Sequence, residues 1–143
     1  MTFTGLYVLD SFAFLAFFQA EAGAVRVRQL LNETLRGAAQ IAINTVNLGE
    51  VIYRTERGFG RDRAQEVLAR IDEYQPRVVN VDHPLALAAA HLKARHKMAY
   101  ADCLAAALAQ QLNAPVVTGD ADFRKVEHLV TIEWLPGKRR DRP

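Results

Sequence analysis

The chain of 143 residues is half apolar and about a quarter charged, with a formal net charge of +2 at pH 7. This length suits one globular domain, and the composition excludes a disordered chain. The near-neutral charge excludes a globally basic nucleic-acid-binding surface, and the single cysteine, Cys103, excludes an internal disulfide framework.

The N-terminus lacks the basic region that opens a signal peptide, and no apolar run approaches the roughly 18 residues of a membrane span. We therefore expect a cytoplasmic protein in which Cys103 is a small core residue. Local basic clusters comprise Arg54, Arg57, Arg61 and Arg63, and then Lys138, Arg139, Arg140 and Arg142. Their simplest interpretation is a solvated surface, and the alternative is a role in steering phosphate groups.

The first half of the chain alternates short apolar runs with amphipathic stretches. The runs at residues 6–9 and 41–43 have the β-branched and aliphatic composition of strands covered on both faces. Helices are predicted at residues 12–18 and 21–36, from Asn44 or Thr45 through Arg57, and at residues 61–74. Gly37 and Gly58 are the expected ends of the second and third of these helices.

The second half repeats the same alternation. Strands are predicted at residues 78–81, 116–118 and 131–135, and helices at residues 85–95 and 100–112, with a short turn at residues 122–126. Asp82 or His83 is the expected cap of the first of these helices, with Pro84 in its first turn. Alternating strands and helices predict a parallel sheet between two layers of helices. We expect one domain over residues 1–135 and a basic tail over residues 136–143.

Five acidic residues stand close to predicted strand ends or helix starts. They are Asp10, Glu50, Asp102, Asp120 and Asp122. Parallel sheets gather their chemistry at the carboxyl ends of the strands, where Asp10 and Asp120 both fall. No Lys or Arg occurs from residue 99 to residue 123, so a cation from outside this stretch must meet its charge, either a metal ion or a distant basic side chain.

Each of these acids also has an ordinary structural interpretation. Asp10 suits a helix N-cap, and Asp102 suits one if its helix begins at Cys103. Glu50 suits a solvated helix position, and Asp120 and Asp122 suit a turn. The joint pattern is stronger than any single member, because three separate strand–helix units place a carboxylate near one edge of the sheet.

The ligand types favour Mg²⁺ or Mn²⁺ over zinc, because hard oxygen donors dominate the set. The histidines show no zinc-binding spacing; they are His83, His91, His96 and His128. The chain contains no phosphate-binding loop, no dinucleotide fingerprint and no G-x-S-x-G nucleophile elbow. These absences leave NTPase, dinucleotide-dependent and α/β-hydrolase chemistry without support.

Four segments together resemble those of PIN-domain ribonucleases. Their order and separation, and the total length of the chain, resemble those of the VapC toxins of toxin–antitoxin pairs. They are residues 8–13 (VLDSFA), 47–51 (NLGEV), 100–106 (YADCLAA) and 117–123 (VTGDADF), the last being the most specific. The resemblance covers nearly the whole chain. It implies a three-layer α/β/α fold with a parallel sheet of four or five strands in the order 3-2-1-4-5.

The resemblance also implies a site and its partners. Asp10, Glu50, Asp102 and Asp120 correspond to a catalytic acidic quartet that binds Mg²⁺ or Mn²⁺, with Asp122 as an auxiliary ligand. Ser11 and Thr118 match hydroxyl positions beside that site. The implied function is endoribonuclease activity in a type II toxin–antitoxin pair, with an RNA substrate, a VapB-type antitoxin and a homodimer. The aromatic group Phe12, Phe14, Phe17 and Phe18 is expected to supply part of such protein contacts, or else to pack internally.

The sequence departs from the family pattern at Phe12, where a small residue is common, and at Cys103, where Ala is common; both affect packing more than ligation. Two other classes remain open. One is another α/β phosphohydrolase or a phospho-accepting receiver domain, although a haloacid-dehalogenase-type enzyme needs Asp where Phe12 stands. The other is a non-catalytic RNA- or protein-binding regulator on the same scaffold.

Overall fold

The computed structural model describes residues 5–137, so the basic residues of the predicted tail lie outside the described residues. The strands are β1 (Leu6–Leu9), β2 (Gln40–Asn44), β3 (Arg77–Val79), β4 (Val116–Thr118) and β5 (Ile132–Trp134). The helices are α1 (Ser11–Phe18), α2 (Ala24–Leu35), α3 (Thr45–Phe59), α4 (Arg61–Glu73), α5 (His83–Arg95) and α6 (Tyr100–Leu112). A 3₁₀ helix, Ala121–Val126, follows β4.

The five strands form one parallel sheet in the order β3-β2-β1-β4-β5. This confirms the expected fold and strand order. The first strand lies at the centre, with Val8 in register with Ala42 on one side and Val116 on the other. The order differs from the 2-1-3-4-5 arrangement of receiver domains, which removes that alternative.

The strands are apolar on both faces because helices cover both faces of the sheet. Val8 and Val116 face a core that they share with α5, α6 and the 3₁₀ helix. Leu9 and Val117, the next residues along each strand, face a second core that contains the apolar sides of α1 to α4. Consecutive strand residues therefore serve opposite layers, which is why these strands read as continuous apolar runs.

Three helices begin with a side-chain cap directly after a strand or its loop. The carboxylate of Asp10 accepts a hydrogen bond from the backbone N–H of Ala13 at 3.0 Å, and Asp82 caps α5 in the same way. Asn44 caps α3 by accepting from the N–H of Asn47 at 2.8 Å. Each cap satisfies a backbone donor that the first turn of a helix leaves unpaired.

Several boundaries differ from the sequence prediction by one to three residues, and two of these differences have a clear local reason. The third helix continues past Gly58 and ends at Gly60, whose φ of 93° lies in the region that favours glycine. The third strand ends at Val79 because its last register partner, Asn44, is where β2 gives way to a helix. The last helix begins at Tyr100, as predicted, with Ala99 at the N-cap position and no side-chain cap, so Asp102 stands inside its first turn and the alternative N-cap role of Asp102 is wrong.

The aromatic side chains of α1 pack largely within the protein. Phe14 is fully buried, while Phe12, Phe17 and Phe18 pack at the margin of the second core. The rings of Phe17 and Phe18 meet edge to face, with centroids 5.0 Å apart. Internal packing therefore accounts fully for Phe14, and contacts of the three partly buried rings with another protein chain stay a prediction.

The most deeply buried helix is α6, in which every residue from Cys103 to Ala109 is inaccessible to solvent or nearly so. Cys103 is a free thiol in this core, which confirms its predicted packing role. Although α6 is rich in Ala and Leu, no helix within residues 5–137 has the length and apolar content needed to cross a membrane.

Gly119, between β4 and Asp120, is held in close contact with the ring of Phe12. A Cβ atom added at Gly119 lies 2.5 Å from Cε1 and 2.6 Å from Cζ of that ring, and 3.0 Å from the carbonyl oxygen of Pro136. These separations are shorter than van der Waals contact, so a larger residue displaces the ring or the backbone. The bulky Phe12 is thus accommodated by the absence of a side chain at Gly119.

We predict that Gly119→Ala lowers the free energy of unfolding by about 1–3 kcal/mol, because the methyl group overpacks this contact. The double variant Gly119→Ala with Phe12→Leu should recover part of the loss, since Leu lacks the two ring atoms concerned. Urea unfolding measures both.

The matched control is Gly49→Ala, in the interior of α3, where an added Cβ meets nothing within 4 Å. It should stabilise the protein by about 0.5–1 kcal/mol through helix propensity. Equal effects of the two Gly→Ala changes would contradict the close-contact explanation.

Candidate active site

A cleft of about 440 Å³ opens at the carboxyl edge of the sheet, where the chain leaves β1 and β4. Its acidic lining residues are Asp10, Glu21, Glu50, Asp102, Asp120 and Asp122. Ser11, Phe12 and Arg54 also line it. The fold therefore brings all five acids singled out in the sequence to one cleft, and it adds Glu21, which the sequence analysis missed.

Asp10 forms the buried floor of the cleft. One carboxylate oxygen accepts from the N–H of Ala13, and the other accepts from the hydroxyl of Thr118 at 2.5 Å. Burial raises the pKa of Asp10 to about 7, although the bonds from Thr118 and Ala13 oppose the rise; Asp102 and Asp120 add to it by repulsion. The predicted N-cap role of Asp10 is correct, and the same side chain also contributes charge to the cleft.

Three carboxylates stand close enough together to share one cation. Asp102, Asp120 and Asp122 each offer an oxygen atom, and these atoms lie within 4.8 Å of one another. The pKa of Asp102 is raised to about 7, mainly by burial and to a lesser extent by repulsion from its acidic neighbours Asp120, Glu50 and Asp122. The positive charge of Arg54 lowers this pKa and so opposes the rise. The negative charge on this group is therefore not fully compensated by the surrounding protein.

The turn after β4 fixes the last two carboxylates. The backbone N–H of Asp120 donates to the Thr118 hydroxyl at 3.1 Å, and the N–H of Asp122 donates to the Asp120 carboxylate at 2.9 Å. Asp122, half exposed, also pairs with Lys125 at 3.2 Å. The turn interpretation of these acids is therefore correct, and the same turn leaves both residues in the lining of the cleft.

Glu50 is oriented by a pair of buried asparagines that the sequence analysis did not identify. The side-chain amide of Asn47 donates to Glu50 and to the carbonyl oxygen of Ala101, each at 3.2 Å. Asn44 in turn donates to the Asn47 side-chain oxygen at 3.0 Å. This network joins α3 to the residue before Asp102, and it settles which way Glu50 faces. The sequence carried one signal of this network: Asn44, Asn47 and Glu50 are spaced three residues apart, which places their side chains on one side of a helix.

The predicted basic cluster divides once the structure is known. Arg54 lines the cleft and lies 3.9 Å from Glu50. Arg57 stacks on the exposed ring of Tyr53, and Arg63 pairs with Glu66. Arg54 is therefore the member of this cluster best placed to meet a phosphate group in the cleft.

Asp10 and Glu50 lie outside the three-carboxylate group, although both line the same cleft. Asp10 has each oxygen engaged by a donor, and Glu50 has one oxygen on Asn47 and the other near Arg54. The arrangement has two parts: Asp10 and Glu50, whose oxygens are engaged by donors of the protein, and Asp102, Asp120 and Asp122, whose oxygens converge. Ser11 and Thr118 lie beside Asp10, as the resemblance implies.

Solved structures that are similar to this chain include VapBC proteins and a VapC toxin. VapBC2 from Rickettsia felis, bound to promoter DNA, matches with a TM-score of 0.70 and 17% identity, covering 91% of this chain and 98% of that chain. DNA-bound VapBC from Salmonella typhimurium has a TM-score of 0.69 and 19% identity, covering 92% and 98%. VapC20 from Mycobacterium tuberculosis, a toxin that cleaves the sarcin–ricin loop, has a TM-score of 0.69 and 18% identity, covering 82% and 92%.

At these identities the structural matches show the fold. No curated protein sequence matches the chain. The sequence profile of the PIN domain matches residues 7–129, a range that runs from β1 to beyond the 3₁₀ helix and contains all six acids of the cleft. By that match, the chain belongs to the PIN domain family.

Proposed function

We propose that this protein is a Mg²⁺- or Mn²⁺-dependent endoribonuclease and the toxin of a type II toxin–antitoxin pair. One observation carries the proposal: carboxylates from four separate chain segments meet in a cleft where burial and mutual repulsion raise the pKa values of Asp10 and Asp102. A bound cation relieves this repulsion. Membership in a family whose members are generally nucleases supports the choice of reaction.

The donor set fits a small divalent cation. Asp102, Asp120 and Asp122 present converging oxygens, and hard oxygen donors suit Mg²⁺ and Mn²⁺. We propose Asp10, Glu50, Asp102 and Asp120 as the catalytic and metal-binding quartet, with Asp122 as an auxiliary ligand. When bound, the ion lowers the pKa of an attacking water and offsets negative charge on phosphate oxygens.

The residues of the chain position these groups for phosphodiester hydrolysis. Thr118 holds Asp10 by its hydroxyl and fixes the backbone of Asp120, so one side chain sets two carboxylates. Asn47 holds Glu50 against the start of α6. Arg54, at the cleft wall, is placed to meet a substrate phosphate once the carboxylates are neutralised.

The similarity of the fold to VapBC proteins supports the toxin assignment. With that assignment we also propose an RNA substrate, a VapB-type antitoxin, a homodimer and a cytoplasmic location. A groove of about 280 Å³ between α1, α3 and α4 suits an antitoxin segment, because Phe59 and Phe18 line it and Gln19 lines both this groove and the cleft. A small, partly disordered protein encoded immediately upstream would be the simplest independent support.

The main test is cleavage of total cellular RNA with Mg²⁺, with a chelator, and with Asp10→Ala. We expect the chelator and Asp10→Ala each to abolish cleavage, because the cleft then lacks its cation or its inner carboxylate.

The matched control is Asp82→Ala. Asp82 caps α5 at 3.0 Å just as Asp10 caps α1, so this change costs about 1 kcal/mol of helix capping without touching the cleft. Cleavage that survives Asp10→Ala or the chelator would refute the proposal. Tight RNA binding without cleavage would favour the non-catalytic regulator instead.

A second prediction concerns stability without metal. Asp10 and Asp102 have folded-state pKa values of about 7 against 3.8 for the ordinary carboxyl, so the folded chain retains protons that the unfolded chain has lost. The free energy of unfolding should therefore fall as pH rises from about 4 to about 7. Asp102→Asn should flatten this fall, and at neutral pH it should leave the metal-free protein as stable or more stable.

Urea unfolding in chelator across this pH range makes the measurement. Asp82→Asn removes one carboxylate away from the cleft and should leave the slope unchanged. Mg²⁺ should stabilise the wild-type protein more than Asp102→Asn. A large loss of stability in metal-free Asp102→Asn would instead mark Asp102 as a structural residue.

A third prediction concerns the orientation of Glu50. Asn47→Ala removes the donor that holds Glu50, so we expect a 10- to 100-fold loss, an approximate range, in Mn²⁺ affinity or in RNA cleavage. Calorimetric Mn²⁺ titration and cleavage rates measure the two effects separately.

The control is Thr55→Val, which removes another buried hydrogen bond on α3, from the Thr55 hydroxyl to the Val51 carbonyl, without a contact to Glu50. It should lower stability and leave Mn²⁺ affinity intact. If both variants lose metal affinity equally, Asn47 acts only through the stability of the helix.

A further inference from the structure

The one tryptophan of the chain stands at the same sheet edge as the cleft. Trp134 is the last residue of β5 and is in parallel register with Thr118, the residue whose hydroxyl holds Asp10. Adjacent strands lie about 4.8 Å apart, so the Trp134 backbone is one strand spacing from Thr118 and about two from β1. The backbone of Trp134 therefore lies two strands away from the strand that leads into Asp10, at the sheet edge where the cleft opens.

This ring is open to solvent and carries a cation. Trp134 is 40% exposed although the residue after it, Leu135, is buried. The guanidinium of Arg124 lies over the ring, 5.7 Å from its centroid. Arg124 follows Asp122 by two residues on the 3₁₀ helix, so the segment that delivers a carboxylate to the cleft also delivers a cation to the tryptophan.

Lys125 extends this positive rim. Its ammonium group bonds to Asp122 at 3.2 Å and to the carbonyl oxygen of Lys97 at 2.6 Å. Lys125 thus borders the cleft at Asp122, and Arg124 with the exposed indole continues this border beyond the residues that line the cleft. An anionic chain with flat apolar groups matches such a border, because phosphates pair with the cations and bases stack on the ring.

We propose that Trp134 and Arg124 form a stacking subsite for an unpaired nucleotide of the RNA substrate, beside the phosphate that is cleaved. The inference rests on the proposed function, and it adds a contact for the part of the substrate strand that extends beyond the cleft. Stacking needs an exposed base face, so the subsite selects single-stranded RNA or a looped-out nucleotide over a duplex. It favours no particular base, because each base presents a flat face.

A second aromatic–cation pair shows what sets Trp134 apart. Tyr53 is exposed and carries Arg57 at 5.0 Å, but it lines a separate groove between α3 and α4 together with Leu48 and Leu68. That groove contains no residue of the acidic cleft. The Trp134 pair is connected to the site in two ways. Trp134 is in register with Thr118, and Arg124 follows Asp122 by two residues on the same 3₁₀ helix.

The lone tryptophan makes the test direct, because its fluorescence reports a single position. In an Asp102→Asn background, which prevents cleavage, an unlabelled single-stranded RNA oligonucleotide of mixed sequence should quench this emission. A labelled copy of the oligonucleotide, followed by anisotropy, should bind with the same midpoint. Trp134→Leu should weaken binding about tenfold, and Trp134→Phe should retain most of the affinity.

Two controls match these changes. Leu129→Ala removes a similarly exposed apolar side chain, 43% accessible, from the turn that precedes β5, and it should leave binding unchanged. Arg124→Ala should weaken binding, whereas Arg36→Ala, an exposed cation that precedes β2, should weaken it less. Arg124→Ala and Trp134→Phe keep the test decisive if Trp134→Leu folds poorly.

The inference fails if RNA binds without changing the tryptophan emission, or if Trp134→Leu binds as well as Leu129→Ala does. It also fails if Trp134→Leu alters only self-association in sedimentation, which would make the ring a protein contact. The proposed function fails separately, when the wild-type chain binds RNA with quenching but does not cleave it in Mg²⁺. Normal cleavage by every Trp134 variant would refute the subsite and leave the nuclease intact.

Discussion

The interaction on which the site depends is the hydrogen bond from Thr118 to the buried carboxylate of Asp10, across the neighbouring strands β1 and β4. It ties the centre of the sheet to the turn that carries Asp120, because the same hydroxyl accepts from the Asp120 backbone. Two strong contacts hold Asp10 in place, yet burial still raises its pKa to about 7. The fold therefore retains a charge that it does not fully stabilise.

That imbalance is confined to the inner part of the cleft. Toward the outside, Arg54 approaches Glu50 and Lys125 pairs with Asp122, so two carboxylates already have a cation of the protein nearby. Asp102, between them, has its pKa raised to about 7 by burial and by its acidic neighbours. The protein thus places its own cations at the rim and compensates the interior carboxylates less fully, which suits the cation site that we propose.

The same residues serve folding and the site, which explains why the ordinary structural interpretations were reasonable. Asp10 caps α1 while it faces the cleft, and Asp120 stabilises its turn while it faces Asp102. Asn47 donates its backbone N–H to the Asn44 cap of its own helix, and its side chain also orients Glu50. A residue that does both needs no separate scaffold, so a small domain can hold several carboxylates in a fixed arrangement.

The sequence by itself determined the order of strands and helices, the buried character of α6, and the acids at the strand ends, because apolar periodicity and caps are local signals. The strand order and the family were inferred from the resemblance of four segments to PIN-domain ribonucleases. Only the tertiary structure decided that Glu50 faces the cleft, that Asn44 and Asn47 hold it, and that Trp134 lies beside Thr118. Those facts join residues far apart in the chain, and contacts between distant segments arise from packing that no local pattern encodes.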